Sequence, residues 1–264
     1  MRNRLVIALA LAAILVGVGH AQEAEEAAHA SGYSLGLLRG LLETDYIIAS
    51  QYDGFGTMLV DGEMVEVPRY RASIRWDMPG MRVDYDLGVG AQQQRKGEVF
   101  AGEYAWDEDK PGAGLTPTSG TATSAPDTYE ERLLQMWVTP QGAAKAAKAA
   151  ADEATLTTVN DRPVLTFSLP APLQDTVMTL TINGQTARPE MVQVQTPGGL
   201  LEATFSGYTD FDLSDTVYPA RVTHTLDGET VLYLTLNAGW GYNPYVISPI
   251  PESVSAGPPG RIDR

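Results

Sequence analysis

Beyond residue 21 the chain offers a zinc ion or a catalytic nucleophile only two histidines, His29 and His224, and no cysteine at all. Zinc is held by Cys, His and carboxylate ligands, and hydrolytic sites bring their histidines in close pairs such as H-x-H or H-E-x-x-H. Neither pair occurs. A Ser-His arrangement would have to draw on the same two histidines. Phosphate-cradling glycine motifs are missing as well, and no cofactor is expected. His224, in RVTHTLDG, reads as an ordinary strand residue.

Carboxylates are the one catalytic group in good supply, with 33 Asp and Glu against 18 Lys and Arg. A glycosidase-like pair therefore stays open on composition. Asp210, Asp212 and Asp215 in TDFDLSD offer oxygens to a hard cation but lack the full calcium-loop pattern, and they read as a solvated turn. The acid surplus bears more directly on partners. It repels phosphate backbones and anionic lipid headgroups, so nucleic acid is not a partner.

The strongest regular pattern is a face. In RYRASIRWDMPGMRVDYD, Arg69 to Asp86, one parity holds Tyr70, Ala72, Ile74 and Trp76, while the other is polar. After Pro79-Gly80 the alternation resumes with Met81, Val83 and Tyr85. A period of two marks half-buried strands. Extending the inward parity gives the candidate ligand-binding residues: Ile74, Trp76, Val83, Tyr85, Phe100, Tyr104, Trp106, Phe167, Met178, Leu180, Leu232 and Leu234, with Leu165 beside them. Such residues either fill a core or line a cavity, where Trp and Tyr supply an apolar body and a polar tip. Trp240, Tyr242 and Tyr245 either flank an opening or pack at a sheet edge.

The elements that carry this face follow an amino-terminal leader. Arg2 and Arg4 precede the apolar run Leu5 to Val18, and Gly-His-Ala (19–21) supplies the small residues of a signal-peptidase site. Cleavage after Ala21 leaves 16 basic residues against 33 acidic ones, a net charge of −17, on a chain expected to be periplasmic or secreted. No later apolar run is long enough for a stable membrane anchor. Residues 22–30 read as a flexible lead and 31–254 as one domain, in which 111–127, rich in Gly, Pro, Ser and Thr, is a flexible loop insertion. Residues 255–264 read as a disordered tail.

Within the domain, Leu35, Leu38, Leu41 and Leu42 place a helix over 31–43. Thr128-Tyr-Glu-Glu131 opens a second helix as a capping box, and Thr139-Pro140 opens a third. That third helix, GAAKAAKAAADEA, has almost nothing large to bury and is expected on the surface. Strands are expected at 46–52, 67–77, 81–86, 98–106, 154–159, 163–169, 175–182, 190–196, 200–206, 217–226 and 229–237. Asn183-Gly184 and Asp227-Gly228 are two-residue hairpin signals. The parity change between Ile182 and Val192 requires one extra residue at 188–190, a bulge or edge break. A turn at Pro79-Gly80 sets Trp76 against Val83 and Ile74 against Tyr85, with Asp77 facing Arg82 and Arg75 facing Asp84. The fold class is mainly β (α+β): a strongly curved antiparallel sheet, a half-barrel, with about three helices over its concave face. A two-sheet sandwich is the alternative.

Taken together, YDGFG, YRASIRWDMPGMRVDYD, GEYAWDED, EERLLQMWVTPQGAAKAA, FSGYTDFDLSDTVYPARVTHTLDGETVLYLTL and NPYVISPIPESV resemble the periplasmic lipoprotein-carrier (LolA-like) fold. The chain resembles still more a group of exported bacterial proteins found alone or ahead of a metallo-β-lactamase-fold hydrolase domain, which does not follow here. The resemblance implies a half-barrel whose concave face, lidded by helices, holds acyl chains. It implies no catalytic residue, and the chain is longer and more acidic than such carriers. The expected function is an exported, soluble, non-enzymatic binding or carrier-like protein for a lipid or other hydrophobic ligand. An accessory module of a separate hydrolase, with a filled core, is one alternative, and a carboxylate-based hydrolase is another. Any protein partner is unknown at this level.

Overall fold

The computed structural model describes residues 22–35, 47–211, 216–240 and 243–260. The leader therefore lies outside the described residues, as does the stretch 36–43 expected to be helical. A first meander is built from β1 (Ala49–Val60), β2 (Glu63–Arg75), β3 (Gly80–Leu87), β4 (Gln94–Ala101), β5 (Tyr104–Glu108) and β6 (Ala122–Ser124). A second comprises β7 (Thr155–Val159), β8 (Arg162–Ser168), β9 (Val177–Ile182), β10 (Pro189–Thr196), β11 (Gly199–Ser206), β12 (Arg221–Leu226) and β13 (Glu229–Trp240). All thirteen strands form one antiparallel sheet, in which β1 pairs with β13 at the middle and β6 and β7 are the edges. One sheet, strongly curved and not closed into a barrel, replaces the sandwich alternative.

Topology dictates where the helices go. The chain leaves the sheet at one edge, β6, and re-enters at the other, β7, so the connection must cross the concave face. It does so as α2 (Tyr129–Trp137) and α3 (Pro140–Ala149). Residues 22–35 form α1, and Glu252–Ser255 form the short α4. A single apolar core joins α1, α2 and α3 to both meanders.

Two features bend the sheet at its midline. The register of β1 slips between Asp53 and Gly54 against β13, and between Gly54 and Gly56 against β2. There β13 approaches so closely that a Cβ on Gly56 would stand 1.8 Å from the carbonyl oxygen of Tyr233. Bulges with glycine at close backbone approaches are the usual means of turning a sheet.

Several sequence expectations change in the structure. Residues 22–30 are helical, because Ala24, Ala28, Ser31 and Leu35 form a buried stripe at helical spacing, made of side chains too small to register as amphipathic. The third helix is buried: Ala143, Ala144, Ala146 and Ala147 are fully covered, and their small size lets α3 settle onto β8 and β10. Its cap is as expected, with Thr139 Oγ1 accepting from the Gly142 amide at 3.1 Å. The capping box does not form; Thr128 Oγ1 donates instead to the Ala125 carbonyl, inside a preceding 3₁₀ turn.

The 111–127 stretch is pinned by the Gly112 and Ala113 amides on the Glu108 carboxylate and contributes β6. Part of the tail packs as well: Gly260 is buried, and its amide bonds to the Glu103 carbonyl. Asp227-Gly228 makes the expected two-residue turn, with φ of 49° and 84°. Asp61-Gly62, which sequence reading passed over, makes another at 51° and 84° and lengthens β1 and β2 well beyond expectation. Asn183-Gly184 does not: Asn183 Oδ1 instead accepts from the Gln185 and Thr186 amides and starts a longer loop. The bulge lies where parity required it, between Pro189 and Met191.

The Arg69–Asp86 ribbon keeps its faces but not its pairs. Trp76 to Pro79 form the turn, so Ile74 faces Met81, Ala72 faces Val83 and Tyr70 faces Tyr85. The arginines still meet carboxylates, through other partners: Arg71 with Asp53 at 2.7 Å, Arg75 with Asp77 at 2.8 Å, and Arg82 with both Asp84 and Glu108.

Candidate functional site: a cavity under the second helix

The concave face is filled on one side and hollow on the other. Under α3 the space is packed, with Leu165, Phe167, Met178 and Leu180 buried together with the alanines of the helix. Burying each such side chain contributes about 1.5–3 kcal/mol. Under α2 lies a cavity of about 710 Å³, within the range of small-molecule sites. Its floor comes from both meanders, with Tyr70, Val83 and Tyr85 on one side of the β1–β13 join and Leu201, Val222, His224 and Leu234 on the other. Leu134 of α2 and Val138 just after it form its roof, and Leu173 and the Gln195–Gly198 turn close its far side.

The helix splits its faces by residue type. Tyr129, Arg132, Leu133, Met136 and Trp137 are buried. Leu134, Gln135 and Val138 look toward the cavity, with Glu130 and Glu131 one turn earlier and Asp127 just before the helix. Arg132 donates to the Val99 and Trp106 carbonyls and pairs with Asp107, so its charge is consumed in holding α2 to the sheet.

The cavity wall is chemically quiet. Tyr85 donates to Glu98. Burial raises the pKa of the Tyr85 phenol, and the Glu98 charge raises it further. The phenols of Tyr52 and Tyr70 are likewise pushed up by burial, and their rings stack 6.3 Å apart. These groups stay protonated at any physiological pH and act as hydrogen-bond donors, not bases. His224 makes no hydrogen bond or ion pair among the described residues. Burial depresses its pKa to about 4, so the imidazole is neutral.

Of the sequence-derived candidates, Val83, Tyr85, Leu232 and Leu234 line the cavity. Ile74 and Phe100 are fully buried in the core, as are Phe167, Met178 and Leu180 under α3. Trp76 sits in the ribbon turn, 6.0 Å from the Trp137 ring. Tyr104 and Trp106 belong to the opposite face, where Trp106 joins Val99, Ala122 and Val254 beneath α4. The reason is local. Residues 98–106 are two strands, and the turn at Gly102-Glu103 sets Phe100 against Ala105 and Val99 against Trp106, which reverses the parity of everything after it. Trp240 lends its carbonyl to the Tyr218 hydroxyl, Tyr245 is 90% exposed, and Tyr242 lies outside the described residues.

Wall residues that the sequence reading missed include Tyr52, Tyr70, Leu134, Val138, Leu201 and His224. Tyr70 was within reach, since it shares the parity of Ile74. The α2 residues were not, because nothing local says which side of a helix meets empty space.

One catalytic lead finds no support in the geometry. Gly32-Tyr33-Ser34-Leu35-Gly36 has the spacing of a hydrolase nucleophile elbow, overlooked in the sequence reading, but such a serine needs a sharp strand-to-helix turn. Here Ser34 lies within α1, where its hydroxyl bonds to the Ser31 and Ala187 carbonyls. In TDFDLSD, Asp212 and Asp215 lie outside the described residues.

No protein-family model matches the chain, and no curated protein sequence does. Solved structures similar to it include a LolA superfamily protein from Nitrosomonas europaea, with TM-score 0.48, 13% identity, and coverage of 86% of this chain and 95% of that one. Another is a domain taken to be an outer membrane lipoprotein-sorting protein from Vibrio parahaemolyticus, at 0.42 and 10%, covering 72% and 84%. A DUF1329 family protein from Desulfovibrio piger gives 0.40 and 10%, covering 75% and 87%. Each is a partial likeness of fold at low sequence identity. The class defined by this chain's own geometry is a helix-covered curved sheet around an apolar chamber. No helix among the described residues is long and apolar enough to cross a membrane.

Proposed function

We propose that this is an exported, non-enzymatic carrier-like protein, cleaved after Ala21, that holds a lipid or similar hydrophobic molecule between its curved sheet and α2. The observation that carries the proposal is the cavity of about 710 Å³, walled by apolar side chains from both halves of the sheet. In an accessory module with a filled core, side chains would occupy this space. The protonated phenols and neutral imidazole of the wall suit binding better than acid–base chemistry. Native mass spectrometry of protein purified gently from its own host tests this: a bound apolar molecule, lost when Leu232→Trp fills the chamber, is the expected result. A clean apo mass from the wild type, together with no uptake of a neutral apolar probe, overturns it.

A further inference from the structure

The charges around the cavity are one-sided. Glu98, Asp127, Glu130 and Glu131 are among its lining residues, and among the described residues no Lys or Arg is. Arg132, whose charge reaches Tyr85, is already bound to two carbonyls and Asp107. The remaining basic group of the described wall, His224, is neutral and makes no hydrogen bond or ion pair among the described residues. An amphiphile with an anionic head, such as a fatty-acid carboxylate or a phosphate, would therefore find no cation to pair with and several carboxylates to repel it. Desolvating an unpaired charge is among the costliest steps a ligand can take. An ammonium head meets the opposite field. With its chain in the chamber it can rest beside Asp127 and Glu131, which are exposed where α2 begins and so stay hydrated.

We infer that the chamber selects amphiphiles with a cationic head, an amine or quaternary ammonium on an apolar chain, with Asp127 and Glu131 as the residues that set this specificity. This inference rests on the cavity being a binding site, so the test separates the two. Purified protein is loaded with the neutral fluorophore N-phenyl-1-naphthylamine, then challenged with dodecylamine, dodecanol and dodecanoate, each below its micelle concentration. Dodecylamine should displace the probe at a concentration at least about tenfold lower than dodecanoate, with dodecanol between them, and the gap should narrow as salt rises. The Asp127→Asn/Glu131→Gln variant should bring dodecylamine to the level of dodecanol and leave dodecanol unchanged. Equal or stronger displacement by dodecanoate, or an unaltered amine preference in the variant, overturns the cationic specificity while leaving the cavity a binding site. If neither the fluorophore nor any of the three binds, the carrier reading itself fails.

Discussion

Tyr85 on β3 donates its hydroxyl proton to Glu98, its diagonal neighbour on β4, within the wall of a largely apolar chamber. A half-buried carboxylate that loses its donor keeps its desolvation cost. Tyr85→Phe should therefore lose about 1–3 kcal/mol. Adding Glu98→Leu should restore most of that, because removing both partners leaves nothing unpaired. Urea midpoints at constant slope give the comparison; a Tyr85→Phe variant as stable as the wild type would show that the bond holds nothing.

His224 makes stability depend on pH in a definite direction. Its folded pKa, about 4, lies below the ordinary value of 6.5, so between the two the unfolded chain takes up a proton that the folded chain refuses. The residue costs nothing above pH 6.5. As pH falls toward 4 it removes up to about 3 kcal/mol, and below that the penalty is constant. The stability difference between wild type and His224→Gln, followed from pH 7.5 to 4, should show this slope; a flat difference contradicts it.

Wall and core residues should respond differently to substitution. Leu180, fully buried under α3, should cost about 2–5 kcal/mol as Leu180→Ala and leave probe binding unchanged. Leu232 borders the void, so Leu232→Trp should abolish probe uptake with little loss of stability. The two variants exchanging these outcomes would mean that the chamber has been assigned to the wrong half of the sheet.

Gly56 tests the bent midline. Any side chain there meets the Tyr233 carbonyl of β13, so Gly56→Val should cost about 3 kcal/mol or more, near the upper end for single substitutions. Thermal unfolding reads it directly, and a tolerated valine would mean that the strands can separate locally.

Period-two patterning made the strand inventory and the face of the Arg69–Asp86 ribbon legible in the sequence. The bulge before Met191 was legible too, because a parity change has only one local remedy. Register was not: the ribbon turn moved two residues from Pro79-Gly80 to Trp76–Pro79, and no pattern of alternation distinguishes those choices. Trp106 fell on the wrong face because one overlooked turn inverts all that follows. The cavity was half legible, since parity identified a floor, but emptiness arises from how far apart α2 and the sheet are held. The alanines of α3 misled for a related reason: smallness reads as nothing to bury, whereas here it is what permits burial.

The seam between β1 and β13 sets Gln51 opposite Trp240. A ribosome delivers the first of these long before the second, so the inner edge of β1 waits with its backbone donors and acceptors unpaired, open to foreign strands. The chamber draws its floor from both sides of that seam. The chamber therefore does not exist until the last strand has joined the first.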